Sequence, residues 1–401
     1  MVRQCKVASY EQHLFSRRYS PVAFLALVIA TGLFRGSTGF CESIVFQKGR
    51  EVWVTSPTGN VINRISIPDG MMLGAVRDGR LILAPVGGKG ALLEAQAFPA
   101  KGASGVMSTL PTQLNEDQRE KVLSEIGNRG SHVSAAGNSA ALVIWSFDQS
   151  KKSWDAEVQT FDFAAGNLRI LTHNGLLNYS PTVSPDGKWV AFYALPHKSN
   201  PETTVGRPWS EIAKLPGYAL QVVSATGGES KPLAQHGYYK YGPGTIAWSP
   251  DSTTIYFEHG DSPEGRYPEL YSVPLTGGSP KKISRPYKCA QYPAASPDGR
   301  HVASMLANPV DENPRLGPRL DGGLGIIDVT SGTSRLLTSE IGTSPKWSPS
   351  GRYILFTGIN RTGKWPGYHL YVISADGGGK TDLTPPDWPG SLTSRDAFWL
   401  E

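Results

Sequence analysis

The feature that most constrains this chain is a motif, Ser-Pro-Asp-Gly or a close variant, that recurs between two apolar segments. The prolines of its four clear copies, Pro185, Pro250, Pro297 and Pro349, are separated by 65, 47 and 52 residues. Proline presets φ at the first turn position, Asp and Ser bond back to the nearby backbone, and Gly accepts a positive φ. Each copy therefore predicts a tight hairpin that joins two β-strands.

A second pair of apolar segments follows each hairpin in the same register. These segments are joined by Gly-rich turns at Gly227-Gly228, Gly277-Gly278, Gly332 and Gly377-Gly378. Four strands per repeat make an antiparallel meander. A four-stranded sheet repeated about every 40 to 50 residues is typical of the blades of a β-propeller.

Weaker copies extend the pattern towards the N-terminus, at His132–Thr172 and from Gly74 onwards. The two chain ends are complementary, because Ser43–Ile67 supplies three strands and Ser394–Glu401 supplies one. Pairing these ends would complete a blade and close the ring, which removes exposed sheet edges. We therefore predict a single all-β propeller of four-stranded antiparallel blades. Seven blades are expected, and six is the alternative because residues 100–130 are poorly patterned.

The composition agrees with a chain of many short strands. Of 401 residues, 45 are Gly and 31 are Pro, while apolar residues make up 39%. This mixture supplies a sizeable core together with many turns. The formal net charge is only +5, and the Lys and Arg residues are spread along the chain, so we predict no nucleic-acid partner.

The first 39 residues are predicted to be a signal peptide, followed by the propeller domain over residues 40–401. Basic residues up to Arg18 precede the apolar segment Pro21–Phe34, and Ser37-Thr38-Gly39 offers small residues for cleavage. A helix needs about 20 apolar residues to span a bilayer, and this segment is shorter. We expect a periplasmic or secreted protein without a membrane span after cleavage; an uncleaved membrane anchor is the alternative.

The repeat motifs SPDGKWVAFYA, WSPDSTTIYF, SPDGRHVASM and WSPSGRYILF resemble the WD-like repeats of the TolB family. They also resemble those in the propellers of prolyl-oligopeptidase-type peptidases. The resemblance covers about residues 43–401 and implies an extracytoplasmic propeller. TolB carries a separate α/β domain before its ring, and the peptidases carry an α/β-hydrolase domain; this sequence shows neither. The resemblance therefore supplies a fold and a compartment but no functional residues.

The sequence contains no recognisable catalytic constellation. Asp186, Asp251 and Asp298 recur because the turn needs them. The histidines are scattered and lack the spacing of a metal site. We therefore predict no catalytic residues, no metal site and no cofactor.

The long connections of the repeat all fall between its second and third strands. They are Leu195–Gly217, Glu258–Pro268, Ala307–Gly323 and Gly358–Gly367. Because strand direction alternates, these connections and the links between blades emerge on one face, here called the long-loop end. Binding usually resides where long loops lie on one side of a rigid scaffold.

Cationic and aromatic residues are concentrated in these connections and links. Trp, Tyr and Arg are the residues that most often dominate binding hot spots. The predicted ligand-binding residues are Arg207, Trp209, Tyr239, Arg266, Tyr267, Arg319, Arg361 and Trp365. An acidic protein segment, a peptide or an anionic glycan would suit such a surface.

Three functional hypotheses remain open from the sequence. The first is a non-catalytic binding or scaffold protein that contacts an envelope protein, peptide or glycan through the long-loop end. The second is a polysaccharide lyase or hydrolase with a loop-borne metal near the propeller axis, held by at least three of His173, His197, His236 and His259. Oligogalacturonate lyases, which resemble this repeat family, use a metal held by such loops. The third is a propeller whose catalytic subunit is a different chain. The oligomeric state is not predicted.

Overall fold

The structure is a computed structural model that describes most of the chain after residue 41. The described residues are 42–77, 80–85, 90–96, 107–110, 112–127, 132–133, 139–149, 153–195, 218–237, 244–260, 267–313, 317–360, 367–388, 392–393 and 397–400.

The first half of the described chain contains fifteen strands and one helix. The strands are β1 Ser43–Lys48, β2 Glu51–Thr55, β3 Val61–Ser66, β4 Met71–Arg77, β5 Arg80–Pro85, β6 Leu93–Gln96, β7 Ser108–Thr109, β8 His132–Val133, β9 Ser139–Asp148, β10 Ser153–Asp162, β11 Asn167–Ile170, β12 Leu177–Val183, β13 Trp189–Leu195, β14 Tyr218–Ser224 and β15 Lys231–Gly237. The helix, α1, spans Glu116–Gly127.

The second half of the described chain contains strands alone. They are β16 Ile246–Trp248, β17 Thr254–His259, β18 Glu269–Pro274, β19 Lys281–Lys282, β20 Cys289–Ala295, β21 His301–Asn313, β22 Gly317–Asp328, β23 Ser334–Leu336, β24 Thr343–Trp347, β25 Tyr353–Asn360, β26 Gly367–Ser374, β27 Thr381–Asp382 and β28 Ala397–Leu400. The prediction of an all-β fold is confirmed.

The strands form four-stranded antiparallel units in chain order. Sheet I is β28-β1-β2-β3, sheet II is β4 to β7, sheet V is β16 to β19, sheet VI is β20 to β23 and sheet VII is β24 to β27. The units β8 to β11 and β12 to β15, called sheets III and IV, are joined into one eight-stranded sheet because Ala156 and Leu177 pair in parallel. The predicted pairing of the chain ends is present, with Ser43 opposite Leu400.

The Ser-Pro-Asp motifs make the tight turns that the sequence predicts. In each, the serine hydroxyl donates to the aspartate two residues later, as in Ser184 Oγ to Asp186 Oδ1 at 2.6 Å. The same carboxylate oxygen accepts the amide of Lys188 at 3.1 Å. These bonds favour the ionised carboxylate, and the serine hydroxyl is the main cause of the lowered pKa of Asp186.

A tryptophan near the end of the first strand joins neighbouring sheets at three places. Its indole Nε1 donates to a backbone carbonyl on the first strand of the preceding sheet. The three bonds are Trp248 to Thr182 O at 3.1 Å, Trp347 to Ala294 O at 2.9 Å and Trp399 to Lys346 O at 2.9 Å. Trp399 lies on β28, so the C-terminal strand occupies the position of a first strand in sheet I.

Helix α1 was not expected from the sequence, which shows no clear pattern over residues 100–130. Val122, Leu123 and Ile126 are buried against apolar residues of sheets II and III. Gly74 on β4 permits this approach, because a Cβ at that position would lie 2.6 Å from Ile126 Cγ2. The helix therefore fills the seam between these two sheets.

A capping box begins α1. Asn115 Oδ1 accepts the amide of Gln118 at 2.9 Å, and Gln118 Oε1 accepts the amide of Asn115 at 3.2 Å. We expect Asn115→Ala to lower the free energy of unfolding by about 1 kcal/mol. Asn115→Asp retains the acceptor and serves as the control in the same chemical denaturation series. Equal stability of both variants would show that the cap contributes nothing.

Candidate functional site

Each sheet has a long-loop end and an opposite end, here called the tight-turn end. In sheet IV the start of β12 pairs with the end of β13, with Leu177 opposite Leu195. In sheet VI Cys289 is opposite Ala307. The connection that follows the second strand therefore leaves at the end where the first strand begins, as predicted.

One of the predicted long connections is largely strand. Residues 307–313 and 317–323 continue β21 and β22 as a paired hairpin, with Asn308 opposite Asp321 and Asn313 opposite Gly317. The sequence prediction of a loop over Ala307–Gly323 was wrong, because the two arms pair beyond the region that β20 covers. The hairpin projects from the long-loop end of sheet VI.

An aromatic cluster lies at the long-loop end of sheets III and IV. Trp145 contacts Tyr179 edge-to-face with ring centroids 5.4 Å apart, and Tyr179 contacts Tyr218 in the same way at 5.7 Å. All three side chains are half-buried. Burial raises the pKa of Tyr179 to about 12 and also raises the pKa of Tyr218, so both phenols are neutral near pH 7. The cluster gives this end a neutral aromatic surface.

A polar network lies beside the aromatic cluster. Asn178 is fully buried at the start of β12, and its Nδ2 donates to Ala156 O at 2.6 Å and to Asn174 Oδ1 at 3.2 Å. Thr172 donates its hydroxyl to the Glu157 carboxylate and accepts the amide of Val158 at 3.0 Å. These bonds fix the link between sheets III and IV against β10.

A buried carboxylate, Glu258, lies between sheets V and VI near their long-loop ends. Its Oε1 accepts the Thr245 amide at 3.1 Å, the Thr245 hydroxyl at 2.7 Å and the Tyr292 amide at 2.9 Å. Its backbone carbonyl accepts the hydroxyl of Tyr193 from sheet IV at 2.8 Å. Burial raises the pKa of Glu258, and the donated hydrogen bonds offset part of that shift.

The backbone at Tyr292 is held in an unusual conformation. Its φ of 57° is in the left-handed region although the residue is not glycine. The register of β20 shifts there, between Gln291 and Ala294, so the strand forms a bulge. Ser180 and Ser344 occupy the corresponding positions of β12 and β24, with φ of 49° in both. Glu258 accepts the amide that this bulge exposes in β20.

A third cluster connects β26 and β27 of sheet VII with the link from sheet VI. His369 Nδ1 and Asp382 Oδ2 are 2.7 Å apart, and Lys380 Nζ donates to Glu340 Oε1 at 2.6 Å. Tyr371 stacks beside His369 with ring centroids 6.2 Å apart, and its pKa is raised, mainly by burial. The ion pair between Lys380 and Glu340 fastens this link to sheet VII.

The histidines proposed for a loop-borne metal are only partly described. His173 is exposed, and His259 packs edge-to-face against Tyr271 with centroids 5.0 Å apart. His197 and the side chain of His236 lie outside the described residues. Among the side chains that the structure describes, no group of three His, Cys, Asp or Glu has the arrangement of a metal site.

The structure tests few of the predicted ligand-binding residues. Tyr267 is half-buried just before β18 and packs against the cluster that contains Cys289, Tyr292 and Met305. Arg319 is described only by its backbone, on β22. The remaining predicted residues, Arg207, Trp209, Tyr239, Arg266, Arg361 and Trp365, lie outside the described residues. Their role in binding stays a prediction.

The sequence analysis missed Trp145, Tyr179, Tyr218 and Glu258. A usable signal existed for Glu258, since a carboxylate within the largely apolar strand Thr254–His259 needs a partner if it is buried. No comparable signal marked Trp145, because it continues the apolar run of residues 140–144 of β9. Its contact with Tyr179 depends on the packing of sheet III against sheet IV.

Comparisons with known proteins indicate the fold. No family model matches the chain, and no curated protein sequence matches it. The oligogalacturonate lyase of Vibrio parahaemolyticus matches with a TM-score of 0.55 and 12% identity, over 88% of this chain and 87% of that one. The tricorn protease matches with a TM-score of 0.55 and 12% identity, over 92% of this chain and 36% of that one. A putative TolB from Agrobacterium tumefaciens matches with a TM-score of 0.43 and 17% identity, over 67% of this chain and 87% of that one.

At these identities the likeness concerns the fold alone. The four-stranded antiparallel sheets and the matched structures define a protein of the β-propeller class. The resemblance to TolB-like propellers, predicted from the repeat motifs, is confirmed. Within the described residues, no helix has the length and hydropathy needed to cross a membrane.

Proposed function

We propose that this chain is an exported, closed, seven-bladed β-propeller that binds a partner at its long-loop end without catalysing a reaction. The partner is an envelope protein, a peptide or an anionic glycan. The observation that carries the proposal is the half-buried aromatic cluster of Trp145, Tyr179 and Tyr218 at that end. Aromatic side chains of this kind supply large contact areas and dominate binding energy at interfaces.

Ring closure is supported by the pairing of the chain ends. β28 lies antiparallel to β1, and Trp399 donates to Lys346 O as Trp347 and Trp248 donate to their preceding sheets. Counting sheets I to VII gives seven blades, with sheets III and IV as two of them. A closed ring would hold the long-loop ends of all sheets on one side of the molecule.

Export is supported by the leader in the sequence. Residues 1–39 have the basic, apolar and small-residue segments of a cleaved signal peptide. The mature domain, residues 40–401, would then act in the periplasm or outside the cell.

Capture of a partner from envelope extracts tests the proposal. A mature chain beginning at Phe40 is used as bait, and a variant replaces Trp209, Arg266, Tyr267 and Trp365 by Ala. We expect the variant to keep the circular dichroism spectrum of the parent and to lose at least 90% of the captured partner, because hot-spot truncations cost about 2 kcal/mol or more each.

A matched variant at the tight-turn end controls for loss of surface charge and contact area. Lys188 and Arg300 follow two of the tight turns, and replacing both by Ala should leave capture unchanged. Equal capture by the parent and the four-residue variant would reject Trp209, Arg266, Tyr267 and Trp365 as the binding residues. Capture lost only in the tight-turn variant would place binding at the opposite end.

A further inference from the structure

Successive tight turns contact one another at the tight-turn end. The amide of Asp186, in the turn of sheet IV, donates to Ser252 Oγ in the turn of sheet V at 3.0 Å. In sheet VI, a Cβ added at Gly299 would lie 3.4 Å from Pro250 Cγ of sheet V. The turns therefore form a chain of contacts that passes from sheet to sheet.

Sheet I has no turn to continue this chain. Its first two strands, β28 and β1, come from distant parts of the chain rather than from one hairpin, and Leu400 lies opposite Ser43 where sheets IV to VII have a Ser-Pro turn. The turn of sheet VII would otherwise have no successor to contact.

Glu42 occupies the place of the missing turn. The amide of Ser350, in the turn of sheet VII, donates to Glu42 Oε1 at 3.0 Å, and Arg352 Nη2 is 3.5 Å from Glu42 Oε2. Ser350 is the counterpart of Asp186 in its own motif, so the same backbone amide makes the contact in both turns. The Glu42 side chain is only 4% exposed. A buried carboxylate is tolerated because it accepts a backbone amide and faces a cation.

We infer that Glu42 is a closure latch, which substitutes for the absent turn and holds the start of β1 against the turn of sheet VII, next to the pairing of β1 with β28. This inference rests on the proposed ring closure. The latch also places the start of the mature chain at the tight-turn end, opposite the proposed binding surface. Leader cleavage after Gly39 would leave Glu42 in place.

Hydrogen exchange of backbone amides in the mature chain beginning at Phe40 tests the latch. We expect Glu42→Ala to accelerate exchange in β1 and β28 by about tenfold or more, because hydrogen bonds to a charged group are among the stronger ones and local opening reports their loss. Exchange in β13 should not change. Glu42→Gln keeps an acceptor for the Ser350 amide but loses the charge, and it should show a smaller acceleration.

Ser252→Ala is the matched control, since it removes the equivalent acceptor between sheets IV and V. It should leave exchange in β1 and β28 unchanged. The inference is overturned if Glu42→Ala leaves exchange in these strands unchanged while Trp399→Ala accelerates it, because β1 and β28 then pair without Glu42. It is also overturned if Glu42→Ala accelerates exchange equally in every sheet. If neither variant changes β1 and β28, the latch and the proposed ring closure both fail, whereas the capture experiment on the long-loop end is unaffected.

Discussion

Replacing Trp399 by Ala is expected to lower the free energy of unfolding by about 3 to 5 kcal/mol. The side chain is only 9% exposed and lies in the core cluster shared by sheets I, II and VII. Its ring is nearly parallel to that of Tyr353 at 6.4 Å, and its Nε1 donates to Lys346 O. Removal therefore leaves a cavity and an unpaired carbonyl where the chain ends meet. Chemical denaturation followed by circular dichroism measures the loss.

Trp399→Phe separates packing from hydrogen bonding. It retains most of the aromatic contact but loses the indole donor, so a loss of about 1 kcal/mol is expected. Trp248→Ala provides a comparison within the interior of the chain, where the equivalent bond joins sheets IV and V. If Trp399→Ala costs less than 1 kcal/mol, the C-terminal strand contributes little and the proposed closure is wrong.

The repeat motif shows what the sequence could predict about the fold. Serine, proline, aspartate and glycine each act within a few residues of their own position, so the tight turns could be derived from local chemistry alone. The tryptophan of the Trp-Ser-Pro motif acts across a sheet boundary. The apolar residues around it predicted a strand. The carbonyl that it binds, such as Ala294 O for Trp347, becomes known only when the neighbouring sheet is placed.

Helix α1 and the β21-β22 hairpin are two further elements that the sequence did not predict. The capping box at Asn115 is a local helix signal, but the surrounding segment is polar, and only Val122, Leu123 and Ile126 are buried in the seam. The hairpin beyond Ala307 contains several prolines and glycines, which favoured a loop. The two arms nevertheless pair, with Asn308 opposite Asp321, because they continue the two central strands of sheet VI.

The candidate site was less predictable than the fold for a physical reason. The aromatic cluster combines Trp145 from one sheet with Tyr179 and Tyr218 from the next. The carboxylate of Glu258 finds its donors at Thr245, which precedes β16, and at Tyr292 on β20. Contacts of this kind depend on the rotation between neighbouring sheets, which is a property of the assembled propeller.

Replacing Glu258 by Ala is expected to lower the free energy of unfolding by about 3 kcal/mol or more. The amides of Thr245 and Tyr292 would lose their acceptor in a buried environment, and each unsatisfied buried donor costs about 1 to 3 kcal/mol. The strained bulge at Tyr292 would also lose the bond that fixes it. Glu258→Gln keeps an amide oxygen for both donors and should stay within about 1 kcal/mol of the parent at neutral pH.

Comparing the stability of the parent and of Glu258→Gln at different pH values tests the effect of the Glu258 charge. Burial raises the pKa of Glu258 in the folded state above the value of about 4.3 for an unperturbed glutamate. The folded state therefore holds this proton more tightly than the unfolded state, and the parent loses stability as the pH rises from that value through the folded pKa. Glu258→Gln cannot ionise and lacks this loss, so its stability relative to the parent should improve as the pH rises from 4 towards 8. Denaturation of both proteins across this range measures the difference, in which the contributions of other groups cancel. A difference that stays constant with pH would mean that the Glu258 carboxyl titrates alike in the folded and unfolded chains, and that its hydrogen bonds fully compensate its burial.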